Sequence, residues 1–158
     1  MPLAQIKLYT VEEAEKTLPF VQRIIRDIQF NFAEHETRLL ERKKLPLSPS
    51  PGSAAEESAH KLENEMEHFE HEVVRFQREL ESMGIELKDY KLGLLDFYTR
   101  YDGKIVYLCW KADEGGALHY WHGLHEGARG RQSITPANRG KFKGLEPGQK
   151  FVEVDLKK

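Results

Sequence analysis

Asp96, Cys109, His122 and Arg131 are the residues of this chain whose types and spacing carry chemistry. They fall within the forty residues from Gly93 to Gln132, GLLDFYTRYDGKIVYLCWKADEGGALHYWHGLHEGARGRQ, which also concentrate aromatic side chains and hold the only cysteine. Carboxylate, thiol and imidazole are borderline ligands that suit zinc, nickel or iron, so a divalent transition metal is the candidate cofactor. His119, His122 and His125 lie within seven residues. On a strand His119 and His122 point to opposite faces, so only His122 can join Asp96 and Cys109, with His125 recruited from the following turn. The competing reading makes His119 a packed imidazole and His125 a surface residue.

Other chemistry is available to the same side chains. A lone cysteine excludes an internal disulfide and a multi-cysteine zinc framework, leaving Cys109 as a buried small hydrophobe, a single ligand or a reactive thiol. A thiol enzyme would pair Cys109 with His122, with Asp96 as the one orienting group in reach. In the run HEGARGRQ, backbone amides with Arg129 or Arg131, followed by Gln132, suit an anion, because arginine clamps carboxylate or phosphate with two parallel bonds. The same run also reads as a structural turn whose arginine pairs with Asp96 or a helix carboxylate. The pairs Glu57/His60 and Glu65/His68 match the spacing of diiron bundles, but a glutamate-rich helix generates such pairs by chance.

The elements that must position these groups follow from periodicity. Leu94 to Arg100, Lys104 to Lys111 and Ala117 to Gly123 alternate with period two and are separated by Asp102-Gly103 and by DEGG, predicting an antiparallel meander, with Ile85 to Leu87 as a short fourth strand. A two-residue Asp102-Gly103 turn puts Tyr101 opposite Lys104, and a two-residue Glu114-Gly115 turn puts Asp113 opposite Gly116. One face then carries Leu95, Phe97, Thr99, Val106, Leu108, Trp110, His119 and Trp121. The other gathers Asp96, Cys109 and Tyr120 in one cross-strand row and Tyr98, Tyr107 and His122 in the next.

Helices precede the sheet. T-V-E-E at Thr10 is a capping box, so a helix starts at Val11 and runs to about Lys44, with a kink or restart expected near Leu18 because of Pro19. Ala14, Leu18, Val21, Ile25, Ile28, Phe32, His35 and Leu39 form a seam of coiled-coil type, which Phe20 and Ile24 widen in its first half. LPLSPSPGS, residues 45–53, suits a mobile connection. From Ala54 the seam resumes through Leu62, Met66, Phe69, Val73, Phe76, Leu80 and Met83 until Gly84 stops it. The expected architecture is α+β, a long antiparallel helical hairpin over 11–83 packed on a small antiparallel meander of three to four strands over 85–123. Helices of roughly 40 Å exceed one small sheet, so the loop end projects, or pairs with a second copy or a helical partner.

A chain of 158 residues, 39% hydrophobic and 32% charged with a net charge of −2, excludes a polyanion-dominated or membrane-embedded composition. MPLAQIKLYTVEEAEK lacks a basic region followed by an apolar run, so a cytoplasmic location and no membrane are expected. One α+β unit is expected over 1–132, closed by a Gly/Arg loop at 123–132 and followed by a basic extension, 133–158. The stretch from Arg129 to Lys150 holds six lysines or arginines against one acid, Glu146. It reads better as a solvated tail than as a nucleic-acid contact, since Phe142 is its sole aromatic platform. A final strand over 151–156 would pair with a sheet edge or with IKLY near the N-terminus.

TVEEAEKTLP at Thr10 to Pro19, ELKD at Glu86 to Asp89, GLLDF at Gly93 to Phe97, VYLCW at Val106 to Trp110, YWH at Tyr120 to His122 and GARGRQ at Gly127 to Gln132 form a specific combination. With these elements the chain resembles an uncharacterised bacterial family, domain of unknown function 2203, over about residues 8 to 132. The resemblance implies that Asp96, Cys109, Trp110, Trp121, His122, Gly127, Arg131 and Gln132 occupy signature positions, and it implies no activity. His125 departs from the pattern, standing where many relatives carry an acid, and the tail after Ser133 lies outside the shared region. Two functional readings follow. The favoured one is a non-enzymatic binding or assembly module that dimerises or recruits a partner through the hairpin. The other is a protein dependent on a ligand, anion or metal at Asp96, Tyr98, Cys109, Tyr120, His122, Arg129, Arg131 and Gln132.

Overall fold

A computed structural model describes residues 3–157; residues 1, 2 and 158 of the two expected segments lie outside the described residues. The first helix, α1 (Val11–Lys43), begins at the expected capping box. The Thr10 hydroxyl accepts from the Glu13 amide at 3.1 Å, and the Thr10 amide donates to the Glu13 carboxylate at 2.9 Å. Contrary to the expected kink or restart, α1 is one element through Pro19. Leu18 and Val21 on either side of it are fully buried, and that packing outweighs the loss of one backbone hydrogen bond. Ile24 widens the apolar stripe as expected, whereas Phe20 lies off its edge and is exposed.

The second helix, α2 (Ala54–Ser82), is capped by Ser53, whose hydroxyl accepts from the Glu56 amide. The intervening loop is tied down: Arg42 donates to the carbonyls of Pro46 and Leu47 at 3.0 and 3.2 Å. The helices pack against each other as an antiparallel hairpin. Their seams are buried at the sheet end, where Leu18, Val21, Ile25 and Ile28 meet Val73 and Leu80 in the main core. Further out the hairpin is held by charge, with Arg38 bonded to Glu65 and Arg42 to Glu63, each at 3.0 Å.

Eight short strands complete the fold. They are β1 (Ala4–Ile6), β2 (Ile85–Asp89), β3 (Leu94–Tyr101), β4 (Lys104–Trp110), β5 (Tyr120–Gly123), β6 (Gln132–Ser133), β7 (Phe142–Lys143) and β8 (Val152–Val154). The main antiparallel sheet has the order β2-β3-β4-β5-β6, with β7 pairing the far end of β3. Asp102 and Gly103 have φ of 51° and 74°, as a two-residue turn of the mirror-image kind requires, and Tyr101 faces Lys104. Leu95, Phe97, Val106, Leu108 and Trp110 face the helices. The opposite face is covered by a second antiparallel pair, β1 with β8, which encloses Ile6, Leu8, Tyr98 and Tyr107.

Two expectations are corrected. The β4–β5 connection is not a two-residue turn but a 3-10 helix over Ala112–Glu114 and an extended return. Gly115 offers its carbonyl to the Trp110 indole at 2.9 Å and to Gln22 at 3.0 Å, and Glu15 accepts from the Leu118 amide. The chain is thereby drawn towards α1, so Leu118 enters the core and His119, expected on the helix-facing side, is exposed. Nor is the segment after Ser133 a solvated tail. Phe142 is 1% exposed in the main core, and Val152–Val154 pair with Ala4–Ile6, so that only Ile6 of the IKLY segment takes part.

Candidate metal centre

β3, β4 and β5 bring three groups of different chemistry to one place through their cross-strand registers. Asp96 is the direct partner of Cys109, Cys109 of Tyr120, and Tyr107 of His122. Asp96, Cys109 and His122 are 2%, 0% and 2% exposed, and their ligand atoms all lie within 4.8 Å of one another. No other such group of histidine, cysteine and carboxylate side chains occurs among the described residues. Glu57, His60 and His68 are exposed, and Glu65 is engaged by Arg38. His125, expected as a fourth ligand, is exposed and outside the group, because the chain turns away after Gly123.

The hydrogen bonds of His122 define its protonation. Nδ1 lies 2.8 Å from the Gly123 carbonyl oxygen, which can only accept, so Nδ1 carries a proton. In the neutral ring Nε2 then presents a lone pair, and it faces Asp96 Oδ1 at 3.1 Å. A lone pair and a carboxylate oxygen at that distance need a cation between them, either a proton or a metal. Burial alone would pull the imidazole down; the bonds to Asp96 and Gly123, with the Asp96 charge, outweigh it and leave the His122 pKa raised. Burial pushes the Cys109 thiol up to about 12, with the Asp96 charge adding to the effect and Arg131 opposing it. Without a metal, Cys109 is thus a buried thiol with little nucleophilic character.

The remaining predicted residues divide. Tyr98 is buried, and its hydroxyl donates to Glu86. Tyr107 donates to Glu86 at 3.1 Å and lies 3.2 Å from the Tyr98 hydroxyl. Arg131 does not return to Asp96, whose partner is His122. It lies 4.0 Å from the Tyr120 ring centroid and donates to Glu114 Oε1 at 2.6 Å and, at 3.4 Å, to the Cys109 carbonyl. The 3-10 helix places Glu114 within reach, so the arginine locks that connection to the Gly/Arg loop. Arg129 and Gln132 are exposed, and neither joins the cluster.

Sequence reasoning missed Glu86, the cross-strand partner of Asp96. Burial raises its pKa, but bonds from Lys88 and Tyr98 outweigh this and hold it below the ordinary carboxylate value. Extending the meander register into β2 was the signal available. A small recess of about 170 Å³ opens beside Asp96 and His122, walled by Lys88, Tyr107, Leu124 and Ala128.

A family model described as an uncharacterized conserved protein, DUF2203, matches residues 7–134. The chain belongs to this family. The match takes in every residue of the Asp96–Cys109–His122 cluster as well as the hairpin, and it stops before Phe142 and β8. No curated protein and no solved structure matches the chain. Among the described residues no helix is long and apolar enough to cross a membrane.

Proposed function

We propose that this member of the DUF2203 family is a transition-metal-binding protein, with zinc as the best-suited ion and Asp96, Cys109 and His122 as ligands. The observation that carries the reading is the orientation of His122. A histidine that ligates a metal through one nitrogen almost always donates the other N–H to a carbonyl or carboxylate, and Gly123 supplies that carbonyl. Two ligand atoms about 2.0 Å from a tetrahedral zinc sit roughly 3.3 Å apart, close to the 3.1 Å between Nε2 and Oδ1. One carboxylate, one thiolate and one imidazole leave a fourth position for water or a small ligand, and the recess beside the cluster has room for roughly five waters. A bound metal would supply Lewis acidity there.

Metal analysis of tag-free protein, before and after dialysis against zinc and then metal-free buffer, tests this. About one equivalent should be retained at pH 7.5 by the natural chain and lost in Cys109→Ser and His122→Asn. Failure of the natural chain to retain zinc would sink the reading.

A second reading, self-association through the hairpin, draws on Phe30 and Leu40, which are 62% and 61% exposed on α1. Light scattering on the eluted protein checks it: a dimer converted to monomer by Phe30→Glu supports it, and a monomer at all concentrations removes it.

A further inference from the structure

We propose that a recess between the β3–β4 turn and β7 binds a compact, multiply charged phosphate anion through Arg100, Lys141 and Lys143. The site lies at the other end of β3 from the metal ligands, and it stands or falls independently of them.

The cations are gathered by the fold. Phe142 is driven into the core, stacking at 4.7 Å on Tyr101 and edge-on at 5.7 Å to Trp121. That anchor holds β7 against the end of β3 and makes Lys143 the direct cross-strand partner of Arg100. Direct partners in an antiparallel pair project to the same face, so two positive side chains stand side by side. Lys141 precedes the buried Phe142 and lines the same recess of about 520 Å³, with Tyr101, Asp102 and Gly103.

Among the described residues Arg100, Lys141 and Lys143 lack carboxylate partners within ion-pair distance, although nine pairs form elsewhere. Lys143 donates only to the Gly140 carbonyl, at 2.8 Å, and Asp102 is the one acid lining the recess. Like charges directly opposite each other destabilise a sheet. A local rule broken in this way is expected where a ligand restores the balance.

The lining also defines the ligand. Three cations against one acid favour an anion of two or more charges, and the arginine fork matches phosphate oxygens. Apart from Tyr101 the walls hold no apolar side chain to take the body of a fatty or aromatic acid. Lys141 and Lys143 lie beyond residue 134, outside the family match, whereas Arg100 lies within it.

Titration calorimetry with pyrophosphate, against inorganic phosphate and sulfate, tests the proposal. Pyrophosphate should bind more tightly than either, and Arg100→Gln, Lys141→Gln and Lys143→Gln should each weaken it about tenfold or more, while Lys44→Gln should not. Melting gives a second readout. In anion-free buffer Lys143→Gln should melt no lower than the natural chain, because it removes a repulsion. Pyrophosphate should raise the melting temperature of the natural chain more than that of this variant. Undiminished binding in all three recess variants would overturn the proposal. So would tight binding of a short single-stranded oligonucleotide that pyrophosphate cannot displace, which would assign the cations to a nucleic acid instead.

Discussion

Arg139 is ion-paired with Glu15, tying a residue outside the family match to the second turn of α1. Arg139 Nη1 donates to Glu15 Oε2 at 3.3 Å and Nη2 to Oε1, while the Leu118 amide also donates to Oε2 at 2.9 Å. Burial raises the Glu15 pKa, but the arginine and the amide outweigh it and hold the carboxyl below its ordinary 4.5. A depressed carboxylate contributes stability that is complete above the unfolded value and is lost as pH falls through the folded one. Glu15→Gln should therefore flatten the acid limb of the stability curve and cost about 1 kcal/mol near neutrality. Urea midpoints measured from pH 7 to pH 3 check this; an unchanged acid limb in the variant would refute it.

Gly93 has φ of +62°, and a Cβ built there would lie 2.8 Å from both Ile25 Cγ2 and Ala112 Cβ. Ile25 is fully buried and Ala112, partly buried, packs against the same core. Gly93→Ala should destabilise by about 2 kcal/mol or more, combining backbone strain with overpacking. Thermal melting reads the loss, and a shift under about 2 °C would contradict the packing described for this turn.

Zinc binding should be coupled to proton release. The Cys109 thiol is pushed to about 12 by burial, so it must shed a proton to act as a ligand near neutral pH, and the raised His122 pKa adds to the protons that zinc displaces as pH falls. Calorimetry in buffers of different ionisation enthalpy should report about one proton or more released at pH 7, and affinity should fall as pH falls. Zinc binding without proton release would place the ion elsewhere. At about a hundred times its dissociation constant, zinc should add about 2.7 kcal/mol of stability to the natural chain and little to Cys109→Ser.

Phe142→Ala removes a ring that closes the core between Tyr101 and Trp121. The expected loss is about 3 kcal/mol or more. An effect under about 0.5 kcal/mol in denaturant unfolding would show that β7 is peripheral after all, as would full stability of a chain truncated after Ile134.

The hairpin, the meander and the rows of the sheet were legible because each rests on a local rule: a capping box at Thr10, a period of 3.6 through α1 and α2, and a two-residue turn at Asp102-Gly103. One accident helped. The Glu114-Gly115 turn does not exist, yet its implied register for β4 and β5 holds, since Cys109 faces Tyr120 and Tyr107 faces His122. Asp96, Cys109 and His122 converge for that reason. Illegible features depend on contacts between distant residues. The Glu15 carboxylate draws Leu118 inward and turns His119 out; Glu114, presented by a three-residue helix, captures Arg131; Phe142 is an isolated aromatic in a basic stretch. None of these leaves a periodic trace.

The pairing of β1 with β8 sets an order on folding. Ala4 and Val154 are partners although nearly the whole described chain separates them, so the loop closed by this pair is the most costly in entropy and its contacts reward the chain last. Residues that join last from such a distance are also the first to part in sub-global opening. The clasp covers Tyr98 and Tyr107, on the side of the sheet that bears His122, so its opening admits solvent to that side while the helices remain packed. Backbone amides of Ala4–Ile6 and Val152–Val154 should accordingly exchange with deuterium well before those of Leu108 and Phe97. Equal protection in both sets would instead mean that the two ends of the chain fold and unfold with the core as one unit.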